Sequence, residues 1–272
     1  MAETKLNYER KGYFHSQSVL SSGDVNDTRN FIINKFDESG KNLSDFQYLI
    51  NKYKIFYDIF SEKIDRDLKE INDQKEIYFL NVIKIQKNAA VGSEFNWHQD
   101  SGGNKGKKYF TNKENFYCKV GIYLQDNSAV YGGGIDLVPY SHLMFIDKKL
   151  NILKKIFFKI YTSIRIRFFN NRFKIKKGDA VFFHNKLFHK TSNVKNNKDI
   201  EEYLKNNNNI NLYVLICNKS LIKEVFKFNN LEFDEGKLKK EYAFELKQKG
   251  NNLSKFILND YLTQLIFNSL SD

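Results

Sequence analysis

Apolar residues recur at helical spacing over residues 24–36 and 43–71, and in the second run Phe46, Leu49, Ile50, Tyr53, Phe56, Tyr57 and Phe60 fall on one face. The texture changes at Ile77. Short β-branched and aromatic runs follow, namely IYFLNVIKI, FYCKVGIYL, GIDLVPY, RIRFF, DAVFFH and NLYVLICN, separated by Gly, Asn, Asp and Ser clusters. That alternation of strand-forming runs and turn residues predicts a β barrel or sandwich. One segment interrupts it: KKLNILKKIFFKIYTS places Leu150, Leu153, Ile156, Phe157, Ile160 and Ile164 at helical spacing, with a basic opposite face. NVKNNKDIEEYLKNNNNIN is a polar connector with no core-forming pattern, and the last forty residues return to helical spacing. With no repeat and no linker, the pattern predicts one domain over 1–272. It comprises a helical N-terminal support (1–75), a β core (76–218) carrying a basic insertion (148–177), and a helical C-terminal tail (219–272).

Composition adds limits to this picture. A chain of 272 residues, 41% hydrophobic and 15% aromatic, has the material for a sizeable core. Cys118 and Cys217, the only cysteines, each sit in an apolar run and read as buried thiols in a reducing compartment rather than a disulfide or thiolate metal site. The first residues carry no apolar leader pattern, and no stretch reaches the roughly 20 apolar residues that span a bilayer, so a cytoplasmic location is expected. The net charge of +12 is local: Lys148 to Lys177 holds eleven Lys or Arg and no Asp or Glu. A confined basic patch points to an anionic small molecule or a membrane surface, with peripheral contact through 148–163. Nucleic acid is not expected, because no reader motif accompanies the charge.

The chemistry gathers in FNWHQDSGG, where His98 and Asp100 lie two apart beside Trp97, the only tryptophan. On a strand, residues i and i+2 share a face, so an imidazole and a carboxylate reach one point. A second histidine would complete the 2-His-1-carboxylate set that leaves one face of a non-haem Fe(II) open. H-x-D alone is a weak signal. His184 and His189, five residues apart in VFFHNKLFH, are both available as the third ligand.

Two further stretches strengthen it: GGGIDLVPYSH (132–142) and KKGDAVFFHNKLFHKTSN (176–193). In this order the three motifs resemble the phytanoyl-CoA dioxygenase-like family of Fe(II)/2-oxoglutarate oxygenases, over about Ile77 to Asn218 with weaker similarity in RKGYF. The resemblance implies a mainly β fold with flanking helices, a double-stranded β-helix (jelly roll) enclosing the metal. It implies His98, Asp100 and His189 as ligands, His184 as a hydrogen-bonded neighbour, and a structural role for His142. His15 shows no partner that would give it chemistry. The activity implied is that of an Fe(II)/2-oxoglutarate-dependent dioxygenase, using O2 and releasing succinate as it hydroxylates an unactivated C–H of a small anionic or lipid-linked acyl, sugar or amino-acid derivative. Halogenating relatives replace the carboxylate, so Asp100 implies hydroxylation.

The chain departs from the family at one point. About eleven residues beyond the distal histidine the family carries an arginine that pairs with the far carboxylate of 2-oxoglutarate. Here the last arginine is Arg172. The expected substitute is Lys119 in CKVGIYL, sharing a face with Gly121 and Tyr123, with Gly121 leaving room for a small diacid. Thr191 is the expected hydroxyl donor, and Lys198 and Lys205 are alternatives. The missing arginine also leaves open a second class of function, a catalytically inactive jelly-roll module that binds an anionic glycan or lipid.

Overall fold

The computed structural model describes residues 2–36, 53–72, 76–87, 97–100, 109, 114–127, 133–143, 152–168, 174–192, 210–245 and 254–271. Its strands are β1 (Tyr13–Ser16), β2 (Glu76–Lys87), β3 (Tyr117–Tyr123), β4 (Ile135–Leu137), β5 (Ala180–His184), β6 (His189–Thr191), β7 (Ile210–Cys217), β8 (Ala243–Glu245) and β9 (Ser254–Leu258). Seven of them form one sheet in the order β1-β5-β3-β7-β2-β9-β8, and β4 and β6 form a second. This is the two-sheet arrangement expected of a jelly roll. Strand β7 lies at the centre and is buried along its whole length. Leu212, Val214 and Ile216 join one core cluster, Leu215 and Cys217 a second, and Tyr213 a third between the sheets.

Helices cover the large sheet. The first four are α1 (Ala2–Lys11), α2 (Ser22–Phe36), α3 (Lys54–Asp58) and α4 (Asp65–Ile71). The run expected to be one helix over 43–71 is, in its described part, α3 and α4 joined by a π turn at Ile59–Lys63. Phe56, Phe60, Ile64 and Leu68 are all fully buried. A four-residue repeat drifts off the face of a 3.6-residue helix, and one wider turn returns it to the core. Residues 43–52 lie outside the described set.

Two expectations are corrected. The described part of RIRFF, residues 165–168, read as a strand, belongs to helix α5 (Ile152–Phe168), because neither Gly nor Pro interrupts the chain between Leu150 and Lys177 and the apolar spacing runs on through Ile164. The tail is not wholly helical either. After α6 (Lys219–Phe228) the chain forms β8 and β9 before α7 (Asp260–Ser271), and β9 pairs in parallel with β2, Tyr78 opposite Phe256. In β9, Ile257 packs into one cluster and Phe256 and Leu258 into another. The strand's apolar run, Phe256–Leu258, is too short for the pattern to separate a strand from a helical segment.

The N-terminal segment, expected as a helical support, also adds β1 to the sheet edge, antiparallel to β5. His15 Nε2 lies 2.9 Å from Asp179 Oδ2, and the Ser18 amide donates to Asp179 Oδ1 at 2.9 Å. The aspartate of the KGD motif therefore ties the start of the chain to β5. Gly178 has φ +86°, and a Cβ there would collide with the Leu20 carbonyl, so glycine is required on both counts.

His142 pins the same segment from the other side. Its Nε2–H donates to the Glu9 carbonyl at 2.9 Å, and its ring lies 5.3 Å from that of His184. Burial pushes its pKa down to about 4, against the Glu9 contact, which raises it. The unfolded chain takes up this proton near pH 6.5 and the folded chain near pH 4, so stability is complete above pH 6.5 and falls as pH drops toward 4. His142 alone should cost about 2 kcal/mol between about pH 7.5 and about pH 5. Urea unfolding at the two pH values checks this, and His142→Asn should remove that part of the loss.

Candidate metal centre

Strand β6 carries His189 and pairs with β4, Leu137 opposite His189. His98 joins the same small sheet through one bridge: its amide donates to the His189 carbonyl at 2.9 Å, and the His189 amide returns a bond to the His98 carbonyl at 3.0 Å. Asp100 is not on a strand. It sits in a turn held by its amide, which donates to the Asn185 carbonyl at 3.1 Å. The H-x-D pair therefore converges through one bridge and one turn rather than through strand pleating.

The three side chains meet. Asp100 Oδ1 is 3.5 Å from His189 Nε2 and 3.9 Å from His98 Nε2, and one ligand atom from each residue lies within 4.8 Å of the others. The His189 Nδ1–H donates to the Leu187 carbonyl at 2.9 Å, which leaves the Nε2 lone pair directed at Asp100. Asp100 Oδ2 is buried with no hydrogen-bond partner. A carboxylate beside two imidazole nitrogens, with one of its oxygens left unpaired, is a donor set for a divalent ion, and it fits Fe(II). Burial would raise the Asp100 carboxyl, but Lys119, His189 and His98 outweigh it and hold the group well below the usual carboxylate range. Asp100 is thus ionised and ready to bind a cation at any physiological pH.

Lys119 also reaches this point. Its Nζ donates to Asp100 Oδ1 at 3.0 Å, its side chain is 12% exposed, and the ammonium lies 5.0 Å from the Tyr213 ring centroid and 5.7 Å from that of Phe183. The expected space at Gly121 is corrected: a Cβ there would lie 2.8 Å from Tyr213 Cε1, so the tyrosine opposite on β7 already fills it. Tyr123 is buried on β3, its ring 6.4 Å from that of Tyr213. Thr191 is buried on β6, on the same face as His189.

His184 is not brought to the group. Its Nδ1 accepts from the Lys186 amide at 3.1 Å, and burial, reinforced by His142 and Lys186, keeps its pKa well below the ordinary imidazole value. Lys148, Lys149, Arg172, Lys198 and Lys205 lie outside the described residues. Three residues near the site were not singled out in the sequence. Tyr213 and Phe183 flank Lys119, and their roles depend on strand register. Asp136 is buried, accepting from Ser192 Oγ at 2.7 Å with Lys190 Nζ at 3.7 Å, so it locks β4 to β6. A charged residue in the middle of the apolar run GIDLV was its available signal.

A sequence model of the phytanoyl-CoA dioxygenase (PhyH) family matches residues 8–199. No curated protein matches the chain at a significant level. Among solved structures, the non-heme alpha ketoglutarate dependent carbocyclase SnoK from nogalamycin biosynthesis is 15% identical, with a TM-score of 0.55 over 80% of this chain and 84% of its own. EctD from S. alaskensis with bound Fe is 12% identical, with a TM-score of 0.55 over 79% of this chain and 76% of its own. The same enzyme with 2-oxoglutarate and 5-hydroxyectoine is 15% identical, with a TM-score of 0.52 over 79% and 75%. At these identities the structures bear on the fold, and they share it.

Proposed function

Because the chain belongs to the phytanoyl-CoA dioxygenase family, and so to the non-haem Fe(II)/2-oxoglutarate-dependent oxygenases, we propose that it hydroxylates an unactivated C–H bond of a small anionic or lipid-linked substrate. His98, Asp100 and His189 serve as the metal ligands, with Lys119, Thr191 and Tyr123 contacting the cosubstrate. The observation that carries this reading is the convergence of two imidazole nitrogens and one carboxylate on a single point, with the second oxygen of that carboxylate left unpartnered.

Fe(II) bound there, with 2-oxoglutarate and O2, supplies oxidative decarboxylation to succinate and insertion of oxygen into a C–H bond. The chain's own residues set the conditions. The Leu187 carbonyl holds His189 in the tautomer that presents Nε2. Asp100 supplies the anionic ligand and occupies the position that a halide would need. Lys119 supplies a positive charge on one side of Asp100, against the Tyr213 and Phe183 rings. Those rings keep water from the charge, so its attraction for a carboxylate is stronger than it would be at the surface. The anionic or lipid-linked character of the substrate is supported by the acid-free basic run from Lys148 to Lys177.

Adding 2-oxoglutarate to the anaerobic Fe(II) protein should produce a visible charge-transfer band, and admitting O2 should convert the cosubstrate to succinate. Mass spectrometry of acyl-CoA, lipid-linked sugar and amino-acid-derivative panels should then find a product gaining one oxygen atom. Metal binding with no band and no succinate would replace this reading with that of a binding module.

A further inference from the structure

Helix α5 turns its apolar side outward. Thr162 is buried and Tyr161, Arg165 and Ile166 are half-buried, which marks the face packed on the protein. Leu153, Ile156, Phe157, Ile160 and Ile164, at i, i+3, i+4, i+7 and i+11, form one stripe and are 44–75% exposed, with Ile152 beside them. These are six of the eleven large hydrophobic residues exposed among those described, so the exposed apolar surface is concentrated here. At about 100° per residue, exposed Lys154 and Lys159 border the stripe on its two sides and Arg167 closes its C-terminal end. An ordinary packed helix would bury the stripe and solvate the lysines. This one presents both together.

We propose that α5 is a docking surface for an anionic lipid bilayer, lying in the plane of the interface with the stripe among the acyl chains and the cations at the headgroups. The charge selects this occupant. A second copy of the chain, paired about a two-fold axis, would bring Lys154, Lys159 and Arg167 toward their own counterparts, and residues 148–177 contain no acid to neutralise them. Nucleic acid would set six bulky apolar side chains against phosphates. An anionic bilayer satisfies both features at once, attracting the cations and burying the stripe. No described helix is long and apolar enough to cross a membrane, so the contact is a surface one. The proposal stands apart from the chemistry of the metal centre, although the two are neighbours in the fold. Tyr161 of α5 packs on Tyr140, with ring centroids 6.3 Å apart, and Tyr140 follows β4, whose Leu137 pairs with His189.

The full chain is tested by flotation with vesicles of phosphatidylcholine alone and with about one third phosphatidylglycerol. It should bind the anionic vesicles, bind neutral ones far less, and release as salt shortens the screening length below about 8 Å. The triple variant Lys154→Gln, Lys159→Gln, Arg167→Gln should weaken partitioning by about 100-fold, three interfacial charges being lost. Phe157→Ser with Ile160→Ser should also abolish flotation, with an unchanged melting temperature because both side chains are already exposed. Equal flotation on both vesicle types, or full binding by either variant, overturns the proposal. So does a dimer in solution that the Phe157 and Ile160 changes dissociate, which would assign the stripe to a second copy.

Discussion

Fe(II) affinity is expected to fall in His98→Ala, Asp100→Ala and His189→Ala by far more than the roughly 10–100-fold that loss of an outer partner of a ligand costs, while His184→Ala keeps it. His98→Ala is the cleanest of the three. Its side chain is 45% exposed, so truncation removes a nitrogen donor with little loss of packing. His189 is buried against Phe183, with ring centroids 4.9 Å apart, and its truncation should also cost about 2–3 kcal/mol of stability through the cavity it leaves. Asp100→Ala strands the Lys119 ammonium in a part-buried site and combines metal loss with destabilisation. Equilibrium dialysis of Fe(II) separates these outcomes from unfolding, because His184→Ala, at a half-buried site packed beside His142, is destabilised without losing a ligand. Retention of metal by His189→Ala together with its loss from His184→Ala would reverse the assignment.

The contrast between His184 and His189 shows how far the chain can be read before it is folded. VFFHNKLFH presents both histidines in similar surroundings, and periodicity does not separate them. Their difference arises from the turn between β5 and β6, which sends His189 to Leu137 and His98 while His184 stays beside His142. Strands β2, β3, β5 and β7 were legible because each is a long run bounded by turn residues. Strand β9 was not, since its apolar run is only Phe256–Leu258, too short to tell a strand from a helical segment. In α5 the helical spacing was legible, but not which side it would turn to the protein. Spacing states that a stripe exists, and only the neighbours decide whether it is covered. The Gly121 position was misread for a related reason: a missing side chain reads as space in a sequence, but on paired strands it lies opposite Tyr213, whose ring moves in.

The absent downstream arginine leads to the second large effect, on 2-oxoglutarate. A dicarboxylate held in a barrel needs a cation for its far carboxylate, since an unpaired buried charge costs several kcal/mol. Lys119 is turned into the site rather than to water, and its Nζ already holds a carboxylate oxygen, that of Asp100, at 3.0 Å. Lys119→Met keeps the apolar stem against Tyr213 and Phe183 and removes only the charge. It should raise the apparent 2-oxoglutarate constant about 100-fold or more, as expected when about 3–5 kcal/mol of a buried pair is broken. Fe(II) affinity should not fall with it, because removing the ammonium frees Asp100 Oδ1 for the metal, and this separates an anchoring lysine from one that merely supports the ligand set. Lys119→Arg should restore binding only in part, since the wider planar head must fit between two rings already in contact range of the ammonium. Thr191→Ala should cost about 1 kcal/mol, one hydrogen bond. The three 2-oxoglutarate values come from one anaerobic titration of the visible band, and the Fe(II) affinity from equilibrium dialysis. Unchanged 2-oxoglutarate affinity in Lys119→Met would remove Lys119 as the anchor and leave it as the counter-charge of Asp100.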